Sequence, residues 1–165
     1  MERIAIIDGN SLINRAYYAM RQPMITNDGI YTHAIFGFIN MLDKIRRDYG
    51  PSHMAVAFDV KAPTFRHREF DEYKAGRKKM PPELAMQIPL LKDILDAMRI
   101  KRVETDGFEA DDLIGTIARA AESTGLEPII VTGDRDQLQL ATDVTKIIYT
   151  KRGISDFDFY DHDAF

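Results

Sequence analysis

Apolar positions along this 165-residue chain follow two rhythms. Short, nearly unbroken apolar runs occur at Arg3-Ile-Ala-Ile-Ile-Asp8, His53-Met-Ala-Val-Ala-Phe-Asp59 and Glu127-Pro-Ile-Ile-Val-Thr-Gly-Asp134. Their length and β-branched content predict buried strands, and Val103 and Ile147 to Tyr149 predict two more. Between them, helical spacing covers Ser11 to Met20, His33 to Tyr49, Pro81 to Met98 behind paired prolines, and Glu109 to Ser123 before Gly125. Strand–helix alternation of this kind predicts an α/β fold, a mostly parallel sheet with helices on both faces.

One stretch keeps neither rhythm. From Val60 to Met80 aromatics (Phe65, Phe70, Tyr73) alternate with charges over a span too long for an ordinary connection, so it is expected to order around a partner. Charge sharpens this. The whole chain is −4, yet seven basic residues stand against three acidic ones between Lys61 and Lys79, so this segment is +4 and the remainder −8. A basic insertion on an acidic body suggests phosphates gripped by one and cations held by the other. With no cysteine, thiol chemistry and zinc–thiolate sites are excluded, and any metal must sit on oxygen or imidazole. No apolar run reaches the roughly 20 residues that cross a bilayer, which predicts a soluble, cytoplasmic protein. The length fits one domain, here 1–165, and Asp161 looks like a helix N-cap, so the domain is expected to continue past Phe165.

The acids are placed in a pattern. Asp8 and Asp59 close the first two strands, Asp134 and Asp136 follow the strand containing Ile129 to Val131, and Glu109, Asp111 and Asp112 open a helix. In a parallel sheet the carboxyl ends of the strands share one edge, where the following helices begin, so seven carboxylates are expected to face one crevice. An Asp between strand and helix is more often an N-cap, and acids in a first turn also favour the helix dipole. Capping does not account for three acids within Glu109-Ala-Asp-Asp112 together with Asp136 two residues past Asp134. Crowded carboxylates need cations, and hard oxygen donors select Mg²⁺ or Mn²⁺. Paired ions on carboxylates suit phosphodiester hydrolysis. His33, His53, His67 and His162 share no spacing and no serine sits in a nucleophile elbow, so neither type is expected to be catalytic.

In Ile7-Asp-Gly9, Ala57-Phe-Asp-Val-Lys-Ala-Pro63, Thr64-Phe-Arg-His67, Tyr73-Lys-Ala-Gly-Arg77, Glu109-Ala-Asp-Asp112 and Thr132-Gly-Asp-Arg-Asp136 the chain resembles the 5′ nuclease domain of bacterial DNA polymerase I, in the flap-endonuclease group. The resemblance spans the whole chain. It implies a PIN-like fold with a basic arch at about 60–80, and it makes Asp8, Asp59, Glu109, Asp111, Asp112, Asp134 and Asp136 the metal acids. It further implies that Lys74 and Arg77 act on the scissile phosphate, that Arg15 and Arg66 contact other phosphates and that Tyr73 stacks on a base. Where relatives often carry tyrosine this chain has Asn14. Relatives continue into a Gly-Asp-x-x-Asp-Asn motif and a helix–hairpin–helix element that these residues do not include, so the two-metal site is expected to be incomplete here.

The resulting expectation is a monomeric, Mg²⁺-dependent 5′-3′ exonuclease and 5′-flap endonuclease of DNA replication and repair, working on DNA with a 5′ single-stranded end, with no membrane partner. The competing expectation is a DNA- and metal-binding fragment that does not cut. A ribonuclease of the PIN type is disfavoured by the basic segment. A phosphatase is disfavoured because Asp8-Gly-Asn10 lacks a second acid two residues on.

Overall fold

The computed structural model describes residues 1–60, 80–152 and 156–160, with backbone only from residue 151 onward. Six strands form one sheet in the order β3-β2-β1-β4-β5-β6. They are β1 (Arg3–Asp8), β2 (His53–Ala57), β3 (Lys101–Val103), β4 (Glu127–Thr132), β5 (Lys146–Arg152) and β6 (Asp156–Tyr160). The first five run parallel and β6 pairs antiparallel with β5. The helices are α1 (Gly9–Ala19), α2 (His33–Tyr49), α3 (Pro82–Ala85), α4 (Gln87–Ala97) and α5 (Ala110–Ser123), and a 3₁₀ helix covers Arg135–Leu140.

The apolar run of β1 is continuous because both of its faces are covered. Ala5 and Ile7 pack with Leu12, Phe38, Leu42 and Leu91 from α1, α2 and α4, while Ile6 packs with Ile114 and Ala118 from α5. The two-residue alternation continues through β4, where Ile129 and Val131 join the first cluster and Ile130 the second. At the carboxyl edge this alternation aims Asp8, after Ile6, and Thr132, after Ile130, toward α5. Asp59, following Phe58 of the first cluster, turns to the same side.

The expected helix from Pro81 to Met98 is two pieces, α3 and α4, divided at Met86. Pro89 explains the division. It has no N–H to offer the Ala85 carbonyl four residues back, and its ring would strike that carbonyl in an unbroken helix, whereas in the first turn of α4 neither matters. Gln87, fully buried at the break, donates to the Glu83 carbonyl (2.9 Å) and accepts from Ala34 N (2.8 Å) and Ile35 N (3.2 Å), which secures the start of α2. Two elements were not expected from the sequence: β6 and the 3₁₀ helix. The expected helix start at Asp161 and the expected arch lie outside the described residues.

Strand β1 passes into α1 at Gly9, where a Cβ would come 2.6 Å from Phe58 Cε1 and 2.8 Å from the Ala57 carbonyl oxygen. Neither can withdraw, since Phe58 is fully buried and Ala57 belongs to the sheet. Gly9→Ala is expected to destabilise the protein by about 1–3 kcal/mol, the range for overpacking, read as a lower urea midpoint. An unchanged midpoint would refute the tight contact.

Candidate metal centre

Asp8 sits at the last position of β1 and caps α1, accepting from Ser11 N at 3.2 Å through Oδ1. Its other oxygen, Oδ2, accepts from the Thr132 hydroxyl (2.9 Å) and from Gln137 Nε2 (2.7 Å). The same Gln137 nitrogen donates to Asp111 Oδ1 at 2.7 Å, so one amide group spans the two carboxylates. Asp59 is anchored from both sides: its N–H donates to Asn10 Oδ1 (2.7 Å), and its Oδ1 accepts from Ala110 N (2.7 Å) at the start of α5.

Burial pushes the Asp8 carboxyl from its ordinary value near 3.8 up to about 7. Hydrogen bonds from Ser11 and Thr132 pull the other way, and the charges of Asp111 and Asp59 push it further up. Burial likewise raises Asp111 to about 6, followed by repulsion from Asp134, with Asp59 and Glu109 adding to it, while the Gln137 bond lowers it. Five of the seven expected acids, Asp8, Asp59, Glu109, Asp111 and Asp134, therefore feel one another at the carboxyl edge.

The remaining two are differently placed. Asp112 reaches back so that its Oδ2 accepts from Glu109 N at 3.0 Å, a capping role, and Asp136 is exposed with its N–H donating to Asp134 Oδ1 at 2.9 Å. Both border a cleft of about 340 Å³ with Asp111 and Gln137. Capping and convergence thus coexist at Asp8 and Asp134. Among the described residues no three acids stand in a ready chelating arrangement.

The chemistry of the donor set nevertheless fits a hard divalent cation. The converging groups offer oxygen donors, and two carboxyls are held toward the protonated form by burial and neighbouring carboxylates, a strain that a cation would relieve. Behind them Gly133 lets β4 close on α1. A Cβ there would lie 2.9 Å from both Ser11 Oγ and Thr150 Oγ1, and its N–H donates to Ser11 Oγ at 2.8 Å. Arg15, expected at a phosphate, donates through Nη2 to the Thr150 carbonyl (2.9 Å) and borders a cleft of about 440 Å³ with Ser11, Asn14 and Tyr18. Asn14 turns its amide to the Asn10 carbonyl (2.7 Å). The basic segment leaves the sheet directly after Asp59 and Val60, and Arg66, Tyr73, Lys74 and Arg77 on it lie outside the described residues.

Three supporting residues were not anticipated from sequence. Asn10 and Thr132 are short polar residues beside anticipated acids, so proximity was a usable signal. Gln137 carries no charge, and only the three-dimensional packing reveals it.

A parallel sheet whose carboxyl edge gathers buried acids defines an α/β domain with its site at the carboxyl ends of the strands. The chain belongs to the family described as 5′-3′ exonuclease, N-terminal resolvase-like domain, whose model matches residues 3–165. It is 48% identical over 160 residues to DNA polymerase I of Bacillus subtilis (strain 168), covering 96% of this chain and 18% of that protein. It is 43% identical over 162 residues to DNA polymerase I of Mycobacterium tuberculosis (strain H37Rv), covering 98% of this chain and 18% of that protein. The chain thus spans under a fifth of the length of these relatives. Among solved structures, T5 5′-exonuclease with bound divalent metal ions (zinc) superposes with a TM-score of 0.71 at 20% identity, over 97% of this chain and 58% of that one. The catalytic core of Rad2 in complex with DNA substrate gives 0.55 at 18% identity, over 99% and 49%. These likenesses show the 5′ nuclease fold.

Proposed function

We propose that this chain is the catalytic core of a divalent-metal-dependent 5′ nuclease that hydrolyses phosphodiester bonds near the 5′ end of DNA, at flaps and at free ends. The observation that carries the reading is the Asp8–Asp111 pair: two carboxyls drawn together at the strand edge, one of them buried, with Asp59, Asp134 and Glu109 around them, in a chain of the 5′-3′ exonuclease family. Asp8 and Asp111 would hold Mg²⁺ or Mn²⁺ with help from Asp59, Glu109, Asp112, Asp134 and Asp136. A bound ion there would supply an activated water and stabilise charge on the attacking and leaving oxygens.

The chain's own groups do the rest. Asn10 holds the Asp59 backbone N–H and Ala110 N–H holds its carboxylate, each at 2.7 Å, so that carboxylate would meet a divalent ion without reorganising. Lys74 and Arg77, three apart on the basic segment, would present two cations to the scissile phosphate, Arg15 and Arg66 would hold flanking phosphates, and Tyr73 would stack on an unpaired base. The substrate is a 5′ single-stranded end of DNA recognised by shape, and the setting is DNA replication and repair in the cytoplasm. Among the described residues no helix is long and apolar enough to cross a membrane.

A second reading, a core that binds cation and DNA without cutting, is favoured by Asp112 capping its own helix and Asp136 standing exposed, two of the seven acids turned to other tasks. Incubation of an end-labelled 5′-flap duplex with the chain in Mg²⁺, in Mn²⁺ and in EDTA separates the two. Cleavage near the junction in metal and none in EDTA is the expected result. Retarded DNA with intact label in all three would establish the second reading, and no retardation at all would sink both. Binding should weaken steeply with salt, since phosphate contacts dominate it.

A further inference from the structure

Gln137 stands at the centre of the carboxylate edge, yet the nuclease reading above gives it no task. It is 2% exposed, carried on the 3₁₀ helix that follows β4. Its Nε2 lies 2.7 Å from Asp8 Oδ2 and 2.7 Å from Asp111 Oδ1, so it fills the space between the two carboxylates. Its Oε1 is buried and has no hydrogen-bond partner among the described residues. A buried amide oxygen left without a partner costs on the order of 1–3 kcal/mol, so the ion-free arrangement satisfies one end of this amide at the expense of the other.

We propose that Gln137 is a further metal-binding residue of this centre: its nitrogen bridges Asp8 and Asp111 while no ion is present, and on ion entry the amide turns to offer Oε1 as a neutral oxygen donor. The inference rests on the metal-dependent reading of the site. Two features of the arrangement support it. An N–H donor facing a divalent cation is electrostatically opposed to it, so an ion between the two carboxylates expels the nitrogen. Rotation about the terminal side-chain torsion exchanges nitrogen for oxygen with almost no change in volume, which a fully packed position can accommodate. A side-chain amide oxygen is a hard carbonyl donor of the kind that suits Mg²⁺, Ca²⁺ and Mn²⁺. The turn also gives the unpartnered oxygen the ion as its partner, while the nitrogen takes the oxygen's former place.

Calorimetric titration of the chain with Mn²⁺, for the unaltered protein and Gln137→Leu, tests this. Leucine keeps the volume and removes both polar ends. The variant is expected to bind Mn²⁺ about 10-fold more weakly or worse. Equal or tighter binding by Gln137→Leu overturns the inference and leaves the carboxylate centre standing, whereas no Mn²⁺ binding by the unaltered protein overturns both. Should the leucine variant not fold, the unaltered protein supplies the answer by NMR. On Mg²⁺ addition the Gln137 side-chain amide protons should move upfield and exchange faster with solvent as their carboxylate bonds break. Resonances that stay in place while neighbouring backbone signals shift would refute the turn.

Discussion

Asp111→Asn is expected to lose metal-dependent cleavage by at least about 100-fold and, in a chelating buffer, to melt higher than the unaltered protein. The two halves have one cause. Burial and the charges of Asp134, Asp59 and Glu109 oppose ionisation of Asp111, holding it near 6. An asparagine keeps an oxygen for the 2.7 Å bond from Gln137 and removes the charge that its neighbours repel. Because Asp111 is only partly buried, solvent screening reduces the gain to about 1 kcal/mol, or about 2–4 °C in a domain of this size. Catalysis moves the other way. A ligand carboxylate that anchors the ion contributes several kcal/mol to charge stabilisation, and each 1.36 kcal/mol is tenfold in rate. Flap cleavage in Mg²⁺ and calorimetric melting in EDTA measure both. Retained activity would remove Asp111 from the centre, and a lower melting temperature would show its charge to be structurally favourable.

How far the sequence carried this picture depends on which force places each residue. Strand β1 and helix α2 were read at their observed bounds, since two covered faces make an unbroken apolar run and one covered face makes a 3.6-residue stripe. The acids at strand ends were legible for the same reason: parallel topology alone brings their backbones to one edge. What each carboxylate does once there was not legible. Asp112 faces its own helix's N-terminus and Asp136 faces solvent, because local capping geometry competes with convergence at those two positions. Strand β6 displays its signal openly in the alternation Asp156-Phe-Asp-Phe-Tyr160, yet it comes soon after the charged pair Lys151-Arg152 in the sequence and reads as a tail unless β5 is known to need an edge partner. Gln137 was invisible for a stronger reason. In Arg135-Asp-Gln-Leu-Gln-Leu140 nothing separates it from Gln139, and only the 3₁₀ pitch buries the first and exposes the second.

The carboxylate edge should also write itself into the pH dependence of stability. Asp8 has its pKa raised to about 7 in the folded protein against about 3.8 when unfolded. Below 3.8 both states hold the proton and nothing is lost. Between 3.8 and 7 the unfolded chain releases it while the folded one keeps it, so ion-free stability falls as pH rises through this window. Three units at about 1.4 kcal/mol each give on the order of 4 kcal/mol from Asp8 alone above pH 7, a large share of a typical 5–15 kcal/mol. Asp111 acts in the same direction up to about 6. His33 acts oppositely, because burial lowers its pKa and it resists protonation below the ordinary imidazole range. A comparison with and without Mg²⁺ removes the histidine, which is common to both arms. Urea midpoints at about pH 5 and about pH 8 should then differ in a specific way. Mg²⁺ adds little at the lower pH, where protons compete for Asp8, and about 3 kcal/mol at the higher one when present at a hundred times its dissociation constant. A Mg²⁺ increment of the same size at both values would mean that the ion binds elsewhere than on these two carboxyls. An increment growing with pH, and abolished in Asp111→Asn, would tie the stability of the fold to the occupancy of its carboxylate edge.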